Sequence, residues 1–247
     1  MIIAIGDIHG RDTWQTIVQD NPNADRYIFV GDYFDSFDVP FMEQMTQFNQ
    51  IVQFKRDNPD KVILLIGNHD YHYIMSDFRI RYSGYQDNYS FLIREALLNA
   101  KDVMQLCYHE TGYLFIHAGL STSWCKRHNI FTDGYNAEEV VNQVNELFVM
   151  SPLKFDFQEP IVRSEYVSSY GDNIWQSPLW IRPDSLVFDK ITLEEPIIQI
   201  VGHTDQGSIL IPNHYSDKFG VIFIDALRIG EYLIINLDNT EIGKVWK

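Results

Sequence analysis

The sequence predicts an α/β fold in which an alternating strand–helix first part is joined to a more antiparallel end, with all strands sharing one core. Three observations carry this. Several apolar runs stop at a glycine or a small polar cluster, helix-period stripes lie between the early runs, and short strand-and-turn segments follow Ile197. With 247 residues, 45% hydrophobic and 14% aromatic, the chain can bury a sizeable core. No internal repeat, low-complexity tract or Gly/Ser linker marks a boundary, so residues 1–247 read as a single domain.

In chain order, the buried-strand pattern covers Ile2–Ile5 before Gly6, Tyr27–Val30 before Gly31, Val62–Ile66 before Gly67, Tyr113–Ile116 before His117, and Ile197–Val201 before Gly202. Between the second and third, Val39–Phe54 places Met42, Met45, Phe48, Ile51 and Val52 close to one helical stripe and ends before Asn58-Pro59. That is the expected crossover helix. Tyr89–Ala100 is another helical stretch, and Asn136 opens a third, with Glu139 three residues on and Val140, Val144, Leu147 and Phe148 following. Ser208–Ile211, Val221–Ile224, Tyr232–Leu237 and Ile242–Trp246 read as short late strands. Residues 121–195 carry no motif until Trp180 and are expected to form a cap or insertion within the domain.

The 19 Lys+Arg against 34 Asp+Glu give a formal charge of −15. Such a chain repels polyanions at long range, which argues against a nucleic-acid polymer or an anionic membrane as partner. No apolar run approaches the roughly 18 residues needed to span a bilayer. MIIAIGDIHG lacks the basic region and cleavage site of a signal peptide. Cys107 and Cys125 stand in no CxxC spacing, which suggests neither a disulfide framework nor a thiolate zinc site, and a cytoplasmic location is expected.

The strand ends deliver chemistry: Gly6-Asp7-Ile8-His9-Gly10, Gly31-Asp32-Tyr33-Phe34-Asp35, Gly67-Asn68-His69-Asp70, His117-Ala118-Gly119 and Gly202-His203-Thr204. In open α/β sheets ligand sites lie beyond the carboxyl ends of strands, so five such loops can converge on one spot. Carboxylate, amide oxygen and imidazole together suit hard and borderline divalent cations, and Asp7, His9, Asp32, Asn68, His117 and His203 are enough for a two-metal centre. A pair of ions about 3.5–4 Å apart can stabilise both the attacking and the leaving oxygen in phosphoryl transfer.

The ordered fragments GDIHG, GDYFD, GNHD, HAG and GHT resemble the calcineurin-like metallophosphoesterases, most closely the phosphoprotein phosphatase (serine/threonine phosphatase) branch with its bacterial and phage relatives. The resemblance runs over nearly the whole chain. It implies a four-layer α-β-β-α sandwich of two mixed sheets flanked by helices, with the metal centre at the strand C-terminal ends. It implies a binuclear phosphoric ester hydrolase in which Asp7, His9 and Asp32 hold one ion and Asp32 bridges to a second held by Asn68, His117 and His203. The ions would be manganese, with iron or zinc as alternatives, and a hydroxide bridging them would attack phosphorus. His69 would donate the proton to the leaving oxygen, oriented by Asp35. Ser177-Pro-Leu-Trp-Ile-Arg182 is similar to the family segment that supplies a phosphate-binding arginine, which makes Arg182 the expected phosphate clamp.

Two positions depart from the family pattern. Ser36 stands where an arginine would follow GDxxD, which either lowers phosphomonoester affinity or means that another arginine substitutes, with Arg11, Arg79 and Arg81 as candidates, and Asp70 replaces a glutamate. The cluster of Tyr71, His72, Tyr73, Phe78, Tyr82, Tyr85 and Tyr89 reads either as a stacking lip or as a helical flank burying its rings, with His72 outside the site. The expected activity is that of a serine/threonine-type protein phosphatase. The alternatives are a diadenosine-tetraphosphatase-like hydrolase of dinucleotide polyphosphates and a phosphate- and metal-binding module with little turnover. A phosphorylated protein or a small phosphate ester would be the substrate. Two divalent ions would reduce the charge to −15 + 4 = −11, so the anion would be drawn in locally rather than by the whole surface.

Overall fold

A computed structural model describes residues 1–75, 81–157, 172–209, 211, 220–236 and 239–245. The described elements are β1 (Ile2–Ile5), α1 (Thr13–Asp20), β2 (Arg26–Phe29), α2 (Phe41–Asp57), β3 (Val62–Leu65), α3 (Asn68–Met75), α4 (Ser90–Ala100), β4 (Met104–Gln105), β5 (Cys107–Glu110) and β6 (Tyr113–Ile116). They continue with α5 (Thr122–Arg127), α6 (Ala137–Met150), α7 (Pro183–Asp189), β7 (Ile198–Val201), β8 (Val221–Phe223), β9 (Glu231–Ile235) and β10 (Thr240–Lys244).

Two mixed sheets result. The first has the order β10-β9-β1-β2-β3-β4, with β1 to β4 mutually parallel and β9 antiparallel to β1. The second has the order β5-β6-β7-β8, in which β6, β7 and β8 are parallel and β5 runs against β6. Alternation along each strand separates the layers. Ile2 and Ala4 of β1, Ile28 and Val30 at β2, and Ile63 and Leu65 of β3 pack with Phe115, Ile200 and Ile222 of the second sheet. Ile3 and Ile5, Phe29, and Val62 and Leu64 face the opposite way into the cluster that holds Trp14 and Ile17 of α1 and Phe48, Ile51 and Val52 of α2. On the far side, α6 lays Val140, Val141 and Val144 against β5. The predicted architecture of two mixed sheets flanked by helices is therefore the observed one.

The predicted elements appear with boundary shifts of a few residues. The third predicted helix starts where expected: Asn136 accepts from Glu139 N at 3.0 Å while Glu139 Oε2 accepts from Asn136 N at 2.9 Å, a reciprocal capping box. One expected late strand is not seen among its described residues. Ser208, Ile209 and Ile211 are irregular, because Ser208 Oγ and Ile209 N donate to the Glu231 carboxylate rather than to a neighbouring strand. Leu210, Leu237 and Trp246 of the expected late strands, with Phe78 and Arg79 of the aromatic stretch, lie outside the described residues. Helix α3, which begins at Asn68, is an addition: it turns the third motif from a loop into the first turn of a helix. No helix among the described residues is long and apolar enough to cross a membrane, and both cysteines are buried thiols.

Candidate metal centre

The parallel strands β1, β2, β3, β6 and β7 end at Asp7, Asp32, Asn68, His117 and His203, and the two sheets bring these ends together. The backbone there is strained. Six non-glycine described residues have positive φ, and four of them are His9 (43°), Asp32 (51°), Asp35 (65°) and His203 (64°). Each such residue costs on the order of 1–3 kcal/mol and persists only where the surroundings over-determine it. The loops also pack backbone against carboxylate: a methyl group at Gly67 or Gly202 would overlap Asp32 Oδ1 or Asp7 Oδ1.

Ligand atoms of Asp7, His9 and Asp32 all lie within 4.8 Å of one another. The His9 Nδ1–H donates to the Phe34 carbonyl at 2.6 Å, leaving Nε2 directed toward Asp32 Oδ2, 3.9 Å away. His117 Nδ1–H likewise donates to the Val30 carbonyl at 2.9 Å, which makes its Nε2 an acceptor. That nitrogen faces Asn68 Oδ1 at 2.8 Å and Asp32 Oδ2 at 3.4 Å, and Asn68 Oδ1 also lies 2.9 Å from His203 Nδ1. Acceptors are thus gathered facing one another. Backbone donors reach only the outer edge of the group, where His203 N donates to both oxygens of Asp7 and His69 N donates to Asp32 Oδ1 at 2.9 Å.

Charge tells the same story. Burial, then the Asp225 carboxylate, holds Asp7 well above the usual carboxylate range, and burial, then Asp7 and Asp70, does the same to Asp32. Burial pushes His9 down to about 4 and His117 to about 3, so the imidazoles bring no positive charge at neutral pH. Desolvated carboxylates beside neutral imidazoles and an amide oxygen form a donor set short of cations, and this set fits divalent metal ions.

A second group, Asp35, His69 and His72, also converges but is built differently. Asp35 Oδ2 lies 2.9 Å from His69 Nδ1 and 2.7 Å from His72 Nε2, and Tyr73 OH donates to Oδ1 at 2.5 Å. Although burial pulls upward, the hydrogen bonds from His69 and His72 hold Asp35 down at about 2. This carboxylate is satisfied by protons already present. The arrangement presents the His69 ring, 5.4 Å from that of His9, with Nδ1 anchored and Nε2 left for chemistry.

His72, expected outside the site, is therefore part of the Asp35 network. Its three-residue spacing from His69 on a helix was the available signal. Asp225 was missed as well. It follows β8 as the other acids follow their strands, and burial and Asp205 raise it to about 6 against the pull of Arg11 and Arg228. Asp70 ties two motif loops together by accepting from Asp32 N, Tyr33 N and Gly67 N at 2.8–3.0 Å, with burial raising its pKa to about 7. Tyr71 and Tyr73 are fully buried and Tyr73 stacks on Tyr85, so the described part of the aromatic stretch is a packed flank rather than a lip. Arg182, half-buried, donates to Thr204 Oγ1 at 3.2 Å, one residue beyond His203. A cleft of about 390 Å³ opens over His9, Asp35 and His69, with Arg11, Arg228 and Phe37 among its walls.

A strand-end site of oxygen and imidazole ligands between two mixed sheets suits a divalent metal ion. The family model for calcineurin-like phosphoesterases matches residues 1–220, and the chain belongs to that family. Among solved structures it is similar to a cold-active protein-tyrosine phosphatase from a psychrophilic Shewanella species, at 17% identity and a TM-score of 0.61 over 98% of this chain and 77% of that one. It is also similar to a Saccharomyces cerevisiae protein serine/threonine phosphatase resembling human PP5, at 15% identity and a TM-score of 0.53 over 100% and 80%. These likenesses speak to the fold. No curated protein matches the chain significantly.

Proposed function

We propose that the protein is a binuclear metal-dependent phosphatase of the serine/threonine type, acting on phosphorylated protein or a small phosphate ester. The observation that carries this reading is the set of carboxylate, amide-oxygen and imidazole ligand atoms on Asp7, Asp32, Asn68 and His117 that face one another in a buried setting. Asp7, His9 and Asp32 would hold one divalent ion, and Asp32, Asn68, His117 and His203 a second. Bound there, manganese or a similar ion supplies Lewis acidity that activates water and neutralises charge on the phosphoryl oxygens.

The chain's own residues do the rest. Asp35 fixes His69 by its Nδ1, so that Nε2 can carry the proton given to the leaving oxygen. Arg182, steadied by Thr204, offers its remaining guanidinium donors to the phosphoryl oxygens. The backbone carbonyls of Phe34 and Val30 keep His9 and His117 in the tautomer that leaves Nε2 open.

The test is hydrolysis of a chromogenic phosphomonoester by protein stripped of metal and then titrated with manganese, with elemental analysis of the loaded protein. Turnover that rises with two ions per chain is the expected result, and metal-independent turnover, or none, would overturn it. Competition between a phosphoserine peptide and diadenosine tetraphosphate then reads the substrate, the peptide being preferred.

A further inference from the structure

Two arginines line the cleft over His9 and His69, and neither belongs to a strand-end motif ligand set. Arg11 donates through one terminal nitrogen to Asp38 Oδ1 at 3.3 Å, and Arg228 through one to Asp205 Oδ2 at 3.3 Å. Ser36, at the position where an arginine was expected, spends its hydroxyl on the same Asp38 oxygen at 2.6 Å and so braces the carboxylate that holds Arg11.

The carboxylate partners lie toward solvent, with side chains 63% exposed at Asp38 and 46% at Asp205. The Arg228–Asp205 pair is exposed on both sides and holds by no more than about 1 kcal/mol, so an incoming anion can displace it, while Arg11, only 15% exposed, would meet the anion with its uncommitted donors. Each guanidinium has five N–H donors and commits only a few of them here. The volume decides what the cleft is for. At about 390 Å³ it falls within the roughly 300–1,000 Å³ that accommodates a whole small ligand rather than a single phosphoryl group. Its position on the His69 side is the leaving-group side.

We propose that Arg11 and Arg228 form an anion subsite for a second negatively charged group, a carboxylate or a further phosphate, carried by the part of the substrate that leaves. This rests on the phosphoesterase reading and narrows its substrate class to phosphate esters of anionic alcohols. It also fits the strongly acidic chain: the subsite acts at contact range, where the overall charge of −15 is screened.

The experiment compares matched pairs on the manganese-loaded protein: a phosphoserine peptide followed by Asp against one followed by Ala, and an adenosine bisphosphate against the adenosine monophosphate. Wild type should favour the more anionic member of at least one pair by about tenfold in kcat/KM, and the pair that responds identifies the source of the anion. Arg11→Gln/Arg228→Gln should remove most of that preference, chiefly through KM. A wild type without preference, or a double variant that keeps it, would overturn the subsite. Arg228→Gln alone, at a 63% exposed side chain, decides the matter if circular dichroism shows the double variant unfolded. If wild type hydrolyses none of the four, the phosphoesterase reading fails, and calorimetric binding of the same pairs then tests the subsite by itself: preferential binding lost in the variant upholds it, equal binding sinks it.

Discussion

Asp32 and Asp35 stand three residues apart in the loop after β2, both with left-handed backbone and both almost wholly buried, yet their surroundings are opposite. Asp35 is met by two imidazoles and a phenol and stays charged. Asp32 is met by Asp7, Asp70 and the acceptor nitrogen of His117, and its charge is opposed. The loop therefore holds one carboxylate complete in itself and one completed only by a cation. On the proposed function, that contrast separates the half of the site that would bind metal from the half that would move a proton.

The largest effect should come from Asp32→Asn, which keeps the shape and removes the charge. Manganese-dependent turnover is expected to fall by about 10³-fold or more, with ions per chain dropping in elemental analysis. Asp35→Asn should instead leave the ion content at two and lower kcat by about 10²–10³-fold, because it disturbs the orientation of His69 and the buried contacts to His72 and Tyr73 but none of the proposed metal ligands. Loss of metal from the Asp35 variant and its retention in the Asp32 variant would reverse the division drawn here.

His69→Asn sharpens the second half. Its kcat should fall by about 10²–10⁴-fold with metal retained. Adding Asp35→Asn to it should cost little more, since groups that act as a unit are not additive. Full additivity in that double variant would show that Asp35 works by some other route than His69.

A smaller effect is expected at His72. His72→Phe removes one of the imidazoles that meet Asp35 Oδ2, 2.7 Å away, in a fully buried setting. Stability should drop by about 1–3 kcal/mol, measured by denaturant titration, as the carboxylate loses a donor. Activity should fall only about three- to tenfold, because His69 keeps its own bond to Asp35.

These contrasts show where sequence suffices. The strands and their glycine-terminated loops were legible because a buried strand that ends in a turn leaves a one-dimensional signature, and Asp7, Asp32, Asn68 and His117 come together as that signature implied. His72 was not legible as a partner of Asp35, since that required knowing that Asn68 opens a helix rather than a loop. Asp225 was overlooked although it obeys the same strand-end rule, because it stands in no motif. The late segment at Ser208–Ile211 misled because its alternation suits a strand, whereas the Glu231 side chain captures its donors.

The contrast also has a pH signature that needs no substrate. A carboxyl raised in the folded state binds a proton there that the unfolded chain has released, so stability is lost as pH rises through the folded value. Asp70, raised by burial to about 7, loses that stability as pH approaches neutrality, and Asp7 and Asp32, raised well above their usual range, act in the same sense. His9 and His117, lowered to about 4 and about 3, work in the other sense, adding stability as pH rises until the unfolded histidines, near 6.5, have lost their protons about one pH unit higher. Between pH 5 and pH 8 the metal-free wild type should therefore lose more melting temperature, or gain less, than the Asp32→Asn variant does. Manganese should remove the part of the decline that Asp7 and Asp32 contribute, because a bound cation holds those two carboxylates ionised in the folded state. Asp35, already ionised at about 2, contributes nothing in this window, so Asp35→Asn should keep the wild-type pH dependence and Asp32→Asn should weaken the decline. An Asp32→Asn variant with the same pH dependence of melting as the stripped wild type would mean that Asp32 is satisfied without metal, and the distinction between the two aspartates would collapse.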